Sequence, residues 1–222
     1  MQISAIKTFT GYERLIMDKV NEKEYPFFAM LDRMQYINRW GLMRNQRVEN
    51  IKEHSMDVAV IAQALALIRN KLCLQGRVAV DPHFVASIAL FHDASEIITG
   101  DLPTPVKYKN NEIEHSFKKI EEQAQKSLLD MLPDFLKEEY SLLFTPDTSN
   151  PENQAAEELV KAADKISAYI KCLVEENAGN KEFLSAKETI MKAILAYELP
   201  EVDYFLRHFI PSFGKTLDQI SV

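Results

Sequence analysis

Apolar residues recur at helical spacing along several stretches of this chain. One example would form one face of a helix: Val58, Ile61, Ala62, Leu65, Ala66 and Ile68. Alternation with period two, which is typical of β-strands, is weak, and glycine is scarce, at six residues. The pattern predicts an all-α fold with helices over about 24–37, 53–73, 82–97, 112–130, 134–144, 152–177, 181–197 and 201–210, and a turn at 146–151.

Composition and charge limit the classes of function. The 222 residues are 46% hydrophobic, enough for one sizeable core, and no linker divides them. A formal net charge of −7 gives no general attraction for a long polyanion, so we expect no nucleic-acid partner. Apolar runs stay far below the ~18 residues of a membrane span, and the N-terminus lacks the pattern of a secretory leader. We therefore expect a cytoplasmic protein without a membrane segment.

A His-Asp doublet, His92–Asp93, interrupts the apolar segment from about Pro82 to Thr99. A buried carboxylate needs a partner, and a divalent cation would accept both its charge and the imidazole lone pair. Glu96 follows one turn later and could take part in proton transfer. The alternative is that His92 is a capped core histidine and that Asp93 pairs with an arginine.

Two further ligand candidates lie far away along the chain. His54 is one of only five histidines and opens an amphipathic stretch, and Asp164 is embedded in the apolar stripe of another predicted helix. Taken singly, each could be a helix-start or salt-bridged residue. Together with the doublet they give nitrogen and oxygen ligands on three helices, a set suited to Mn, Co, Ni, Fe or Zn.

The order His54, His92–Asp93, Asp164 resembles the H…HD…D pattern of the HD-domain phosphohydrolase superfamily, which consists of all-helical enzymes. Longer stretches resemble the bacterial 5′-deoxynucleotidases of the YfbR type. They are INRW at 37–40, LMRN at 42–45, EHS at 53–55, HDASE at 92–96, GDLPTPVKY at 100–108, AYIKCL at 168–173, DYF at 203–205 and PSF at 211–213. The resemblance covers about residues 24–218 and implies a single-domain helical bundle of the HD type, preceded by an extension over 1–23 of unknown role.

The resemblance implies hydrolysis of 2′-deoxyribonucleoside 5′-monophosphates to deoxyribonucleoside and phosphate. It implies one divalent ion, Co²⁺, Mn²⁺ or similar, held by His54, His92, Asp93 and Asp164. Such an ion would activate water and polarise the phosphoryl group. Glu96 would orient or deprotonate that water. Asp101 would protonate the leaving 5′-oxygen or hold the sugar 3′-hydroxyl, unless it only caps a turn before Pro103.

The resemblance also implies how the substrate is held. Arg39 would clamp the phosphate, although an Arg-Trp pair is more often a surface charge stacked on an indole. Trp40 would line the sugar pocket, where an unpaired ribose 2′-hydroxyl would cost about 1–3 kcal/mol. The other substrate contacts would come from His54, Asp93, Asp101, Leu102, Pro103, Thr104 and Asp164. A homodimer is implied by the resemblance alone.

Two other functions stay open from the sequence. The chain could be another HD-domain hydrolase, acting on nucleoside triphosphates, cyclic nucleotides or guanosine tetraphosphate. Enzymes that act on guanosine tetraphosphate typically follow the glutamate with a second acid, whereas position 97 is isoleucine. A catalytically silent nucleotide-binding module would be expected to have lost a ligand or the glutamate, yet all are present.

Overall fold

The computed structural model describes residues 23–107 and 109–220, except for the side chains of Thr104 and Pro105. Nearly all of the predicted N-terminal extension lies outside these residues. The α-helices along the described chain are α1 (Phe27–Asp32), α2 (Ile51–Leu72), α3 (Pro82–Phe91), α4 (Glu96–Thr99), α5 (Thr104–Lys107), α6 (Asn111–Leu129), α7 (Asp134–Phe144), α8 (Pro151–Asn177), α9 (Leu184–Leu195) and α10 (Pro200–His208). Short 3₁₀ helices cover Arg33–Tyr36, Lys181–Phe183, Ile210–Gly214 and Leu217–Gln219.

Most of the predicted helices are confirmed within one or two residues, and so is the all-α fold class. The predicted helix over 24–37 is instead a short α-helix followed by a 3₁₀ turn, and the one over 181–197 begins with a 3₁₀ turn. The helix predicted over 201–210 ends at His208, and a 3₁₀ helix follows that contains Pro211. Proline has no N–H to donate, so it cannot continue the α-helical hydrogen bonds.

The prediction of one continuous helix over 82–97 is wrong at the His-Asp doublet. α3 ends at Phe91, and turns occupy residues 92–95 before α4 begins at Glu96. There the N–H groups of Ala94 and Glu96 bond to carbonyls three residues back, each at 3.0 Å. The tighter turns place Ala94 inside a small apolar cluster formed with Phe27, Leu128, Leu132 and Phe144. This tertiary packing overrides the helical periodicity of the sequence.

The main core surrounds α2, which packs against α3, α8 and α10. Its buried side chains include Val58, Ile61 and Leu65 of α2, Val85 and Ile88 of α3, Leu159 and Ile166 of α8, and Val202 and Phe205 of α10. Burial of these side chains removes apolar surface from water, the main favourable term in folding. The packing fixes the mutual positions of the three segments that carry the predicted ligands.

Side-chain caps set where these helices begin. The Asn50 side chain accepts hydrogen bonds from the N–H groups of Lys52 and Glu53 at the start of α2. Asp81 and Asn150 cap α3 and α8, each with a proline at the first helical position. The cap at Asn50 places His54 in the first turn of α2, facing the core as predicted. None of the described helices is both long and apolar enough to cross a membrane.

Candidate metal centre and active site

Four side chains predicted as ligands meet between α2, the turn after α3, and α8. Ligand atoms of His54, His92 and Asp164 all lie within 4.8 Å of one another. Asp93 joins them, because its Oδ2 lies 3.2 Å from Nε2 of His92 and 3.6 Å from Nε2 of His54. The structure thus brings together residues that are far apart in the sequence.

Both imidazoles are held on the side away from the carboxylates. Nδ1 of His92 lies 2.7 Å from the carbonyl oxygen of Ala89, which can only accept, so Nδ1 carries the proton. The lone pair is then on Nε2, a buried atom without a hydrogen-bond partner among the described residues. Nδ1 of His54 lies 3.2 Å from Oγ of Ser167, and its Nε2 lies 3.1 Å from Oδ1 of Asp164. An unpartnered imidazole nitrogen beside two carboxylates fits a divalent cation.

The carboxylates stay ionised in this buried setting. Burial would raise the pKa of Asp93, but the positive charge that His92 carries when protonated outweighs it and holds that pKa well below its usual range. Asp164 behaves alike: burial opposes the shift, while its hydrogen bond with His54 and the charge of Lys165 lower its pKa. Burial would lower the pKa of His92, yet the charge of Asp93 raises it. The site therefore offers negative charge to a cation.

Arg39 points into the same site and is not a surface charge, since its side chain is only 13% exposed. Its Nη1 lies 3.1 Å from Oδ2 of Asp93, and its Nη2 lies 3.9 Å from Oδ1 of Asp164. Its Nε lies 3.5 Å from Oε2 of Glu49. The guanidinium thus lies next to the ligand cluster.

Trp40, the next residue, has a left-handed backbone with φ of 58°, which is uncommon for a bulky residue. Its indole Nε1 donates to Oε2 of Glu49 at 2.9 Å, and its ring meets Phe183 edge-on at 5.3 Å between centroids. Its carbonyl accepts from the side-chain amide of Asn45 at 3.2 Å. The indole is therefore held beside the Arg39 guanidinium by several contacts.

Glu96 and Asp101 border the cluster. Burial, together with the charges of Asp93 and Asp101, raises the pKa of Glu96 to about 9. Its Oε2 is buried without a hydrogen-bond partner among the described residues. Burial also raises the pKa of Asp101, against the charge of Arg39 and a hydrogen bond from the backbone N–H of Trp40. Two acids with raised pKa values thus lie beside the ligand cluster, an arrangement suited to proton transfer.

The other predicted pocket residues follow Asp101. Leu102 and Pro103 are half-buried in the connection to α5, and the Pro103 carbonyl accepts hydrogen bonds from the first turn of that helix. The side chain of Thr104 lies outside the described part of the chain. Their contact with a sugar stays a prediction.

Two residues of the site were missed from the sequence. Glu49 contacts both Arg39 and Trp40, and Ser167 contacts His54. Ser167 lies three residues after Asp164 on α8, and this spacing could have found it because residues i and i+3 share a helix face. No sequence pattern singles out Glu49 in this way, because it lies in a polar segment before α2.

Comparisons with known proteins agree with this geometry. The family model described as 5′-deoxynucleotidase YfbR-like matches residues 26–213. A 5′-deoxynucleotidase of Yersinia pestis (strain Pestoides F) is 48% identical over 196 residues, covering 88% of this chain and 96% of the relative.

Solved structures show the same fold. An HD-domain phosphohydrolase of Listeria innocua matches with a TM-score of 0.69 and 26% identity, covering 84% of this chain and 87% of the other. A cyanophage S-2L HD phosphohydrolase, bound to dA and one catalytic Zn²⁺ ion, matches with a TM-score of 0.60 and 21% identity, covering 85% and 96%. The fold, the order of the clustered residues and the extent of the family match agree. The chain belongs to the YfbR-like 5′-deoxynucleotidase family of HD-domain phosphohydrolases.

Proposed function

We propose that the protein hydrolyses 2′-deoxyribonucleoside 5′-monophosphates to deoxyribonucleosides and phosphate. The observation that carries this proposal is the meeting of two imidazoles, two carboxylates and the Arg39 guanidinium in one site. Relatives that are 48% identical over most of the chain are named 5′-deoxynucleotidases, which supports it.

One divalent ion would be held by His54, His92, Asp93 and Asp164. When bound, such an ion supplies a Lewis acid for the phosphoryl group and lowers the pKa of water. Co²⁺ and Mn²⁺ are our first choices, and the Zn²⁺ held by the cyanophage protein of the same fold makes Zn²⁺ a third ion to test.

Glu96 would orient the attacking water or take its proton. Its unpartnered, buried oxygen supports this role. A pKa of about 9 keeps the carboxyl protonated near neutral pH, and the positive charge of a bound cation would lower that pKa and free the carboxylate to take the proton. Asp101 would either protonate the leaving 5′-oxygen or hold the 3′-hydroxyl. Its position beside Arg39 and the backbone of Trp40 is compatible with both roles.

Arg39 would bind two phosphoryl oxygens and offset the negative charge that develops in the transition state. Trp40 would lie against C2′ of the sugar, and the segment Asp101, Leu102, Pro103 and Thr104 would complete the pocket. An apolar wall at C2′ leaves a ribose hydroxyl without a partner, which favours deoxyribose.

We also infer that residues 24–218 form the catalytic domain and that two copies of the chain form a dimer. The family match over 26–213 supports the first inference. Exposed apolar side chains on one face of α2, which are Met56, Val60 and Leu67, support the second.

The first experiment measures phosphate release from dAMP, AMP and dATP. Metal-stripped protein is assayed with and without Co²⁺, Mn²⁺ or Zn²⁺, alongside Glu96→Gln and the matched variant Glu139→Gln on the exposed face of α7. We expect metal-dependent release from dAMP, little from AMP and dATP, and a fall of about 100-fold or more in Glu96→Gln alone.

Each other result contradicts the proposal in a different way. Turnover of dATP in place of dAMP would indicate another class of HD hydrolase. Tight metal binding without release of phosphate from any of the three nucleotides would indicate a catalytically silent module. Full activity in metal-stripped protein would rule out the ligand set as a metal centre.

A further inference from the structure

We propose that Glu49 is the positioning residue that sets the geometry of both Trp40 and Arg39, and so determines sugar discrimination and phosphate affinity. This inference rests on the proposed function. The Glu49 side chain is 12% exposed. One of its oxygens, Oε2, accepts from Nε1 of Trp40 at 2.9 Å and lies 3.5 Å from Nε of Arg39. Its other oxygen lies 4.0 Å from Nδ1 of His54.

The backbone explains why this carboxylate reaches both residues. The segment between the first 3₁₀ helix and α2 folds back on itself, with an antiparallel bridge between Asn38 and Asn50. The N–H of Arg39 bonds to the carbonyl of Glu49 at 2.9 Å, and the N–H of Ile51 bonds to the carbonyl of Ile37 at 3.0 Å. Glu49 therefore lies directly across from the Arg39–Trp40 pair.

The Trp40 backbone needs such a contact. A left-handed φ of 58° is unfavourable for a side chain of this size and persists only when surrounding contacts hold it. Phe183 contacts the ring, but the indole N–H has Glu49 as its acceptor. Loss of that acceptor would leave the ring free to turn about its side-chain torsions, and a turned ring no longer excludes a 2′-hydroxyl.

The Glu49 carboxylate also contacts the guanidinium of Arg39. Its three nitrogens face three carboxylates, those of Glu49, Asp93 and Asp164. Asp93 and Asp164 belong to the proposed ligand set, whereas Glu49 does not. Glu49 faces Nε, so it can hold the guanidinium from that side. Nη1 donates one hydrogen to Asp93, which leaves its second hydrogen and those of Nη2 for phosphoryl oxygens.

The test compares Glu49→Ala and Glu49→Gln with the matched control Glu53→Gln, whose more exposed carboxylate pairs with Arg47 at 3.6 Å. An amide oxygen still accepts from the indole but carries no charge for Arg39. We expect Glu49→Ala to lower the dAMP-to-AMP ratio of kcat/KM about tenfold. We expect Glu49→Gln to keep that ratio and to raise the KM for dAMP about threefold or more. Glu53→Gln should change neither quantity.

Trp40 is the only tryptophan in the chain, so its fluorescence reports on the contact directly. We expect a red-shifted emission and stronger acrylamide quenching in Glu49→Ala, but not in Glu49→Gln or Glu53→Gln. In a Trp40→Phe background, which lacks the indole N–H, Glu49→Ala should no longer change the dAMP-to-AMP ratio.

An unchanged ratio and unchanged emission in Glu49→Ala would overturn the inference. Equal losses in Glu49→Ala, Glu49→Gln and Glu53→Gln would also overturn it, because they would reflect general destabilisation. If the unaltered protein releases no phosphate from any nucleotide, the proposed function fails. The emission of Trp40 then still tests whether Glu49 holds the indole.

Discussion

At the scale of single residues, each histidine of the site depends on a group that is not itself a ligand. The carbonyl of Ala89 fixes the proton on Nδ1 of His92, and the hydroxyl of Ser167 lies 3.2 Å from Nδ1 of His54. Such contacts orient the imidazole ring, and when the proton is on Nδ1 they leave the lone pair of Nε2 for a cation. Only the contact to His54 can be removed by substitution, because a side-chain hydroxyl makes it, whereas a backbone carbonyl makes the contact to His92.

Ser167→Ala should weaken metal binding about tenfold, because His54 loses the acceptor that orients its ring. The measurement is competition with a chromogenic chelator. Ser185→Ala, at an exposed position of α9, is the control and should leave the affinity unchanged. Equal affinities in Ser167→Ala and the unaltered protein would show that the packing of the buried His54 ring alone orients it.

The sequence predicts some residues of the site and not others, for a physical reason. His54, Asp93 and Asp164 stand out because polar ligands occur inside apolar stretches, where burial alone would disfavour them. Glu49 lies among polar residues, so no pattern separates it from a solvated side chain. Its contacts arise only when the chain folds back and pairs Asn38 with Asn50. Arg44 and Arg47 lie near the predicted pocket-forming segments in the sequence, yet they pair with Glu182 and Glu53 and not with the ligand cluster.

At the scale of elements, the spacing of apolar residues predicts that a helix forms, but it does not predict where a helix is interrupted. The apolar pattern continues through residues 92–95, and only the packing of Ala94 against a distant cluster reveals the turn. Helix starts are easier to predict, because Asp81 and Asn150 each precede a proline in the sequence.

The segment that carries Arg39 and Trp40 is anchored on the last turns of α8. Fully buried Glu175 accepts from the N–H groups of Gln46 and Arg47, from Nζ of Lys171 and from the Asn180 side chain at 2.7 Å. Lys171 also donates to the carbonyl of Arg47 at 2.5 Å. The ion pair therefore joins the segment of Arg39 and Trp40 to the helix that carries Asp164, a proposed metal ligand.

Glu175→Gln should destabilise the protein by about 3 kcal/mol, because it leaves the buried Lys171 ammonium without its charge partner. Urea unfolding measures this change. Glu176→Gln is the control: its carboxylate is more exposed, pairs with Lys187, and should cost less than about 1 kcal/mol. Similar losses in both variants would show that the Glu175 pair is no more important than a surface pair.

The ion pair of Lys171 and Glu175 should also make the free energy of unfolding depend on pH. Burial would raise the pKa of Glu175, but the hydrogen bonds from Lys171, Gln46 and Asn180 lower it from 4.5 to about 2. The unfolded chain therefore takes up the proton first, so the stabilisation is complete above pH 4.5 and is lost as the pH falls toward about 2. The difference in unfolding free energy between the unaltered protein and Glu175→Gln should narrow over that range.

At the scale of the whole molecule, we expect a mass of twice the 25.5 kDa chain in sedimentation equilibrium. A stable dimer buries about 1,200–2,000 Å² of total surface, and the exposed apolar face of α2 would form part of it. Val60→Lys should therefore shift the mass toward one chain, whereas Leu142→Lys, at an exposed apolar position of α7, should not. A single-chain mass for the unaltered protein at micromolar concentration would contradict the dimer.

The convergence of three segments on the proposed metal centre also affects the stability of the protein. A cation held by α2, the turn after α3 and α8 would bind only the folded chain, so its binding free energy would add to the free energy of unfolding. The supply of that ion in the cell would then set how often the chain opens to proteases. Scarcity of the metal would lower the abundance of this protein as well as its turnover of nucleotides.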